Sequence, residues 1–113
     1  MTRYRFAKGK TDANHKAAKE AIEAEGWPLM DLSAAGNGVE DFLVGLSNQD
    51  PSTPEMLFWV VVEMKVPRNK AGTIQPSQYK PKQVAWRAKT QGWPRITAVS
   101  AEDAVAQIRR MVG

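Results

Sequence analysis

No cysteine occurs in the chain, and histidine occurs once, as His15. The first absence excludes disulfide frameworks and thiolate zinc sites. The second leaves a histidine-rich metal centre or a Ser-His-Asp triad almost nothing to build on, and a lone histidine near a helix start reads as a solvated residue. No stretch approaches the roughly 20 apolar residues of a membrane span. The opening "MTRYRFAKGK" has no apolar segment behind its charges, so it does not read as a secretory signal. The expected address is a reducing cytoplasm. With 113 residues, the chain is expected to form one domain over residues 11–113, preceded by a flexible basic arm over residues 1–10.

Charge of one sign is also missing over long stretches. From Glu20 to Met64 there are nine acidic residues and no lysine or arginine; from Lys65 to Ala101 there are eight basic residues and no acid. Residues 1–19 hold six basic residues against one acidic. Solvated faces of different elements can differ in sign without consequence. The alternative is a polyanion-binding surface flanking an acidic centre, and charge alone leaves both open.

The order of elements reads α-β-β-β-α-β-α, an α/β fold with a mixed four-stranded sheet flanked by helices. "TDANHKAAKEAIEAEG" has a helix composition, with Thr11 or Asp12 as cap and Gly26 as stop. "WPLMDLSAAG" gives a first strand running into the turn Gly36-Asn37-Gly38, and "VEDFLVGL" a second strand. "SNQDPSTPE" is the polar loop of a hairpin to a third strand over 57–65, and "PRNKAGTIQPSQY" a long, basic, turn-rich loop. "KPKQVAWRAKTQG" starts a helix with Pro81 in its first turn and ends it at Gly92. "PRITAV" is a fourth strand, and Ser100 opens the last helix with Asp103 three residues on. Gly-Trp-Pro occurs twice, at 26–28 and 92–94, each time joining a helix to a strand through a glycine cap, an aromatic plug and a proline.

The third strand, "FWVVVEMKVP", places charge at the end of a run with the β-branched and aromatic content of a strand covered on both faces. Alternation puts Trp59, Val61, Glu63 and Lys65 on one side and Phe58, Val60, Val62 and Met64 on the other. A buried charge is costly unless it is paired or holds a metal. If the second and third strands pair as a hairpin, Glu63 and Lys65 lie beside Asp41. Two carboxylates of that kind suit a hard cation such as Mg²⁺, which can activate water against a phosphodiester, with Lys65 steering the attack. A buried Glu63–Lys65 ion pair, or two side chains reaching solvent at the strand end, are the structural alternatives.

"GVEDFLVG", "VVVEMK" and "KPKQVAW" in this order resemble the PD-(D/E)XK nuclease superfamily. The closer likeness is to the small phage and bacterial nucleases of the VRR-NUC group and to the archaeal Holliday-junction resolvases. The resemblance runs from about Asp12 to Val99, with "DANH" opening the first helix and the Gly-x-Gly turn preceding the acidic strand. It implies a restriction-endonuclease-like core and a Mg²⁺-dependent DNA endonuclease, with Mn²⁺ able to substitute, acting on branched, nicked or plain DNA, and working as a homodimer. Asp41, Glu63 and the backbone carbonyl of Met64 would be the metal ligands, Lys65 the catalytic lysine, and Gln83 a site-lining residue from the following helix. Trp86, one turn beyond, reads as core packing.

The chain departs from the pattern twice. Glu40 stands where relatives carry proline before the aspartate, and strand alternation aims it away from Asp41. Where many relatives give a glutamate from the first helix, this chain offers Asn14, His15 and Ala17, with Glu20 the nearest acid. Asn14 is then a candidate to orient a ligand or a phosphate. Arg3 and Arg5 in the arm, and Arg68 and Lys70 in the long loop, are the candidate DNA contacts, sequence-independent and salt-sensitive. The rival readings are a catalytically silent nucleic-acid-binding module of the same fold and a protein-interaction domain.

Overall fold

The computed structural model describes residues 14–47 and 56–112. The arm with Arg3 and Arg5, the cap Thr11 or Asp12, and the tip of the hairpin lie outside the described residues. Helix α1 occupies residues 14–24. Strand β1 follows at Leu29–Asp31, β2 at Phe42–Ser47 and β3 at Met56–Met64. Helix α2 is Pro81–Lys89, β4 is Arg95–Ala98 and α3 is Ala101–Val112. The sheet order is β1-β2-β3-β4, the first two pairings antiparallel and the last parallel. This is the mixed four-stranded α/β architecture that the element pattern implied.

Alternation sorts the two sheet faces. Phe42, Val44 and Leu46 of β2, with Val60, Val62 and Met64 of β3, point into one core. That face is closed by Ala18 and Ile22 of α1 and by Ala104 and Ile108 of α3, each pair spaced by one helical turn. The other face carries Leu43, Gly45, Trp59 and Val61, and lines an apolar groove of about 610 Å³ together with Trp86 and Trp93. Helix α2 contributes Trp86 to that side.

Local signals place the helices. Gly26 and Gly92 both have φ of +90°, the left-handed geometry of a helix stop. The two Gly-Trp-Pro junctions then diverge. Trp27 is buried in the core, whereas Trp93 is 42% exposed and meets Trp59 and Trp86 edge-on at 5.3 and 5.6 Å. Ser100 Oγ accepts the Asp103 amide at 3.1 Å, and the Asp103 carboxylate accepts the Val99 amide at 3.0 Å, so α3 starts on a reciprocal cap displaced by one residue from the usual box. β2 begins at Phe42 rather than at Val39. Gly36, Asn37 and Gly38 all take positive φ, and the chain leaving that turn joins the ladder late. Asp41 therefore sits in a bend just before the strand, fixed by its N–H to Val62 O (3.0 Å) and its carbonyl to Leu32 N (2.7 Å).

Candidate active site

The β2–β3 register pairs Phe42 with Val62, so Asp41 faces the end of β3. Asp41 Oδ2 accepts the Met64 amide at 2.7 Å, which locks the carboxylate to the strand carrying Glu63. Met64 itself has its side chain in the core, and its backbone forms this edge of the site. Glu63 and Asp41 line one cavity of about 510 Å³, with Gly36, Gly38 and Val39 on one wall and Lys80, Pro81, Lys82 and Gln83 on the other.

Gln83 ties the wall together. Its Oε1 accepts the Lys80 amide and the Lys65 ammonium, both at 3.0 Å, and its Nε2 donates to Glu63 Oε2 at 2.8 Å. The amide orientation is set by these partners, because the reverse would turn its NH₂ on an ammonium and its oxygen on a carboxylate. Lys65 also donates to Gln78 O at 3.0 Å and stands 5.0 Å from the centre of the Tyr79 ring. Its distance to Glu63 Oε2 is 3.7 Å, so the two charges communicate chiefly through Gln83 instead of sharing a direct hydrogen bond. Lys65 lies one residue beyond the end of β3.

The electrostatics are those of two carboxylates short of positive charge. Burial raises the Asp41 carboxyl above its ordinary value, against the opposing pull of the Met64 hydrogen bond and of His15. Glu63 is pushed up to about 7, first by burial and then by the charge of Asp41, with Lys65 and Gln83 only partly offsetting this. Each carboxylate has one oxygen engaged, Asp41 Oδ2 by Met64 and Glu63 Oε2 by Gln83. Among the described residues no three His, Cys, Asp or Glu side chains converge as a metal cage. Carboxylate oxygens with open positions are the donor type that hard cations accept.

The remaining candidates fall in different places. Asn14 lies half-buried at the first described residue of α1. Glu20 is exposed and faces Lys16 at 3.9 Å on its own helix, away from the cavity. Arg68 and Lys70 are exposed in the loop after β3. Glu40 is buried and turned from the site: it accepts the Trp86 indole N–H at 2.8 Å and pairs with Arg95 at 3.2 Å. Trp86 thus does more than fill space. Its ring N–H ties α2 to Glu40, while Thr90 Oγ1 donates to Trp86 O at 2.9 Å and accepts from Arg95.

His15 is not the solvated residue that its isolation suggested. Its side chain is 17% exposed, with Nε2 3.0 Å from Asp31 Oδ2 and Nδ1 3.7 Å from Asp41 Oδ1. Asp31 is held well below the usual carboxylate range, first by the Ser33 hydroxyl at 2.6 Å, then by His15 and by the Ser33 amide at 2.9 Å. Position 15 shares a helical face with the buried positions 18 and 22; that spacing was the signal available in the sequence. Lys80, Lys82 and Gln78 were also missed as site residues. Gln78 ends a single 3-10 turn, Pro76–Gln78, which is too short to leave any periodicity. No protein-family model, curated protein or solved structure matches the chain.

Proposed function

We propose that the chain is a divalent-cation-dependent DNA endonuclease with a restriction-endonuclease-like core, akin to the PD-(D/E)XK and VRR-NUC nucleases it resembles. One observation carries the reading: Asp41 and Glu63 are both largely buried, open on the same cavity, and both hold their protons more tightly than an ordinary carboxyl. Carboxylates arranged in this way destabilise each other until a cation arrives. A Mg²⁺ or Mn²⁺ ion held by Asp41 and Glu63, with the Met64 carbonyl as a backbone ligand, would supply Lewis acidity toward a phosphodiester.

The chain's own groups do the rest. Lys65, pinned by Gln78 and Gln83, sets a fixed positive charge where charge grows on the phosphate or where the attacking water loses its proton. Gln83 keeps that ammonium and the Glu63 carboxylate at a constant separation. Lys80 and Lys82 are exposed on the cavity wall and attract the DNA backbone, with Arg68 and Lys70 extending the basic surface; Arg3 and Arg5, outside the described residues, are further candidate contacts by their charge alone. Among the described residues no helix resembles a base-reading one, and the reading is of recognition by DNA shape, ends or branches. The test is nicking of supercoiled plasmid. Activity should require Mg²⁺ or Mn²⁺, vanish in excess chelator, and fall by orders of magnitude in Asp41→Asn and Lys65→Ala. Undiminished nicking by clean protein in chelator overturns the reading.

A homodimer belongs to the same reading, because one such domain cuts one strand. The sheet face away from α1 and α3 is the surface it would bury, with Met30 60% exposed at its rim. Met30→Glu should then sediment as a monomer at concentrations where the parent chain is a dimer. A parent chain that is itself monomeric removes this part.

A further inference from the structure

The loop after β3 builds a second cavity beside the one that holds Asp41 and Glu63. The chain returns to the sheet through the turn Pro76–Gln78, where the buried Gln78 side chain donates to Val66 O at 2.8 Å and accepts the Gln75 amide at 3.1 Å. That staple fixes the next residue, Tyr79, whose hydroxyl lies 3.3 Å from Thr97 Oγ1. Thr97 pairs with Glu63 across β3 and β4, so the second cavity reaches the strand next to the proposed site. Ile74, Pro76, Tyr79, Val84, Arg87 and Thr97 line about 500 Å³ there.

Two basic side chains share the Tyr79 ring. Lys65 Nζ stands 5.0 Å from its centre and Arg87 Cζ 4.5 Å, both within reach of the ring's negative face. Arg87 pairs with no carboxylate among the described residues, and no acid occurs from Lys65 to Ala101. Val84, 55% exposed, adds an aliphatic wall open to solvent. An aromatic–cation stack alone is a common surface contact. This one stands in a cavity, shares Lys65 with the proposed site, and is backed by two hydroxyls. A nucleobase stacks on an aromatic ring or a guanidinium plane whatever its identity. Hydroxyls both donate and accept, so they serve the edge of any base. A wall without acid suits the phosphates on either side of it. A base inside a duplex can enter only by leaving its stack.

We infer that the cavity of Tyr79, Val84 and Arg87 holds one unpaired nucleobase of a DNA strand, stacked on the arginine and the ring, while the adjoining backbone passes Lys65. The inference rests on the nuclease reading above and names its substrate: DNA with an unpaired nucleotide beside the cut, as at a flap or a frayed end, in preference to continuous duplex.

The test is DNA binding by the full-length protein in chelator. The probes are a blunt duplex and the same duplex with a short single-stranded thymidine extension. The extended probe should bind about tenfold or more tightly than the blunt one. A single abasic position moved along the extension keeps every phosphate, and at one place it should remove the preference. Val84→Glu changes an exposed residue that does not line the Asp41–Glu63 cavity. It should melt as the parent chain does and bring the two affinities to within about twofold of each other, and Arg87→Ala should do the same. A preference that survives the abasic scan or Val84→Glu undiminished overturns the inference. Free thymidine monophosphate should compete weakly; competition as strong as that of the extended probe would make this a mononucleotide site and overturns it too. If plasmid is nicked with Mg²⁺ while the parent chain binds both probes equally, the inference falls and the nuclease reading stands. If neither probe binds and no cation supports nicking, both fall.

Discussion

Glu63 is the residue in which the proposed chemistry and the stability of the fold are most directly coupled. Its folded value of about 7 against an ordinary 4.5 means that between those limits the native protein keeps a proton the unfolded chain has lost. Stability without metal must therefore fall as pH rises from about 4.5 to about 7, by on the order of 3 kcal/mol in all, with no further loss above. Asp41 is shifted in the same direction and adds to the trend. Urea denaturation in chelator at pH 5 and pH 8 measures this, and Glu63→Gln should remove most of the difference. A bound divalent cation should recover the loss at pH 8 by mass action. An unchanged pH slope in Glu63→Gln would mean that the carboxyl is not a stored charge waiting for a cation. Of these side chains, Glu63 was legible because a charge at the end of a run as apolar as Phe58–Val62 needs a reason, and Asp41 because a hairpin of the second and third strands sets it beside Glu63. His15 was legible only as sharing a helical face with positions 18 and 22; what it meets there depends on Asp31, 16 residues away.

At the scale of elements, the site depends on how the Gly36-Asn37-Gly38 turn meets α2. A Cβ at Gly38 would lie 2.5 Å from the Lys82 carbonyl carbon and 2.6 Å from the Gln83 nitrogen, and its φ is +80°. Glycine is required there on both counts, steric and conformational. Gly38→Ala should cost about 2–4 kcal/mol and, by pushing the first turn of α2 outward, should separate Gln83 from Glu63 and Lys65. A second turn variant, Gly36→Ala, meets nothing within 4 Å and should cost only its backbone strain. Denaturation curves and nicking rates of the two compared would separate crowding from strain; equal losses would mean that the approach to α2 is unimportant. The turn itself was readable as Gly-x-Gly, and helices α2 and α3 were readable from Pro81 and Ser100. The partner of the turn was not, since a close backbone approach leaves no trace in the sequence but the missing side chain. β2 starts three residues later than residue type implies for a related reason: Val39 and Glu40 suit a strand by type, but the positive φ values before them divert the chain, and Glu40 pairs with Trp86 and Arg95 instead.

For the molecule as a whole, the segregation of charge now has a spatial counterpart. The acidic middle of the chain contributes Asp31, Asp41 and Glu63 at one end of the sheet, and the basic segment after Met64 contributes Lys65, Lys80 and Lys82 to the same place. Solvated faces of opposite sign would not have to meet; here they meet around a cavity lined by buried Glu63 and half-buried Asp41. A polyanion approaching this end is repelled by Asp41 and Glu63 and attracted by the lysines and by Arg68 and Lys70, which stand exposed on the loop leading from the site. The balance makes two measurements diverge. Replacing Arg68 and Lys70 together by glutamine should weaken binding to duplexes of unrelated sequence alike. It should also flatten the dependence of log affinity on log salt by about one unit for each phosphate no longer neutralised. Cleavage under saturating DNA should change little, since neither residue lines the cavity. Asp41→Asn should do the opposite, holding or improving metal-free DNA affinity while cleavage collapses. Binding isotherms at several salt concentrations, beside single-turnover cleavage, resolve the two effects. If the Arg68 and Lys70 variant keeps both affinity and salt slope, the basic loop is a solvated surface and not a DNA contact.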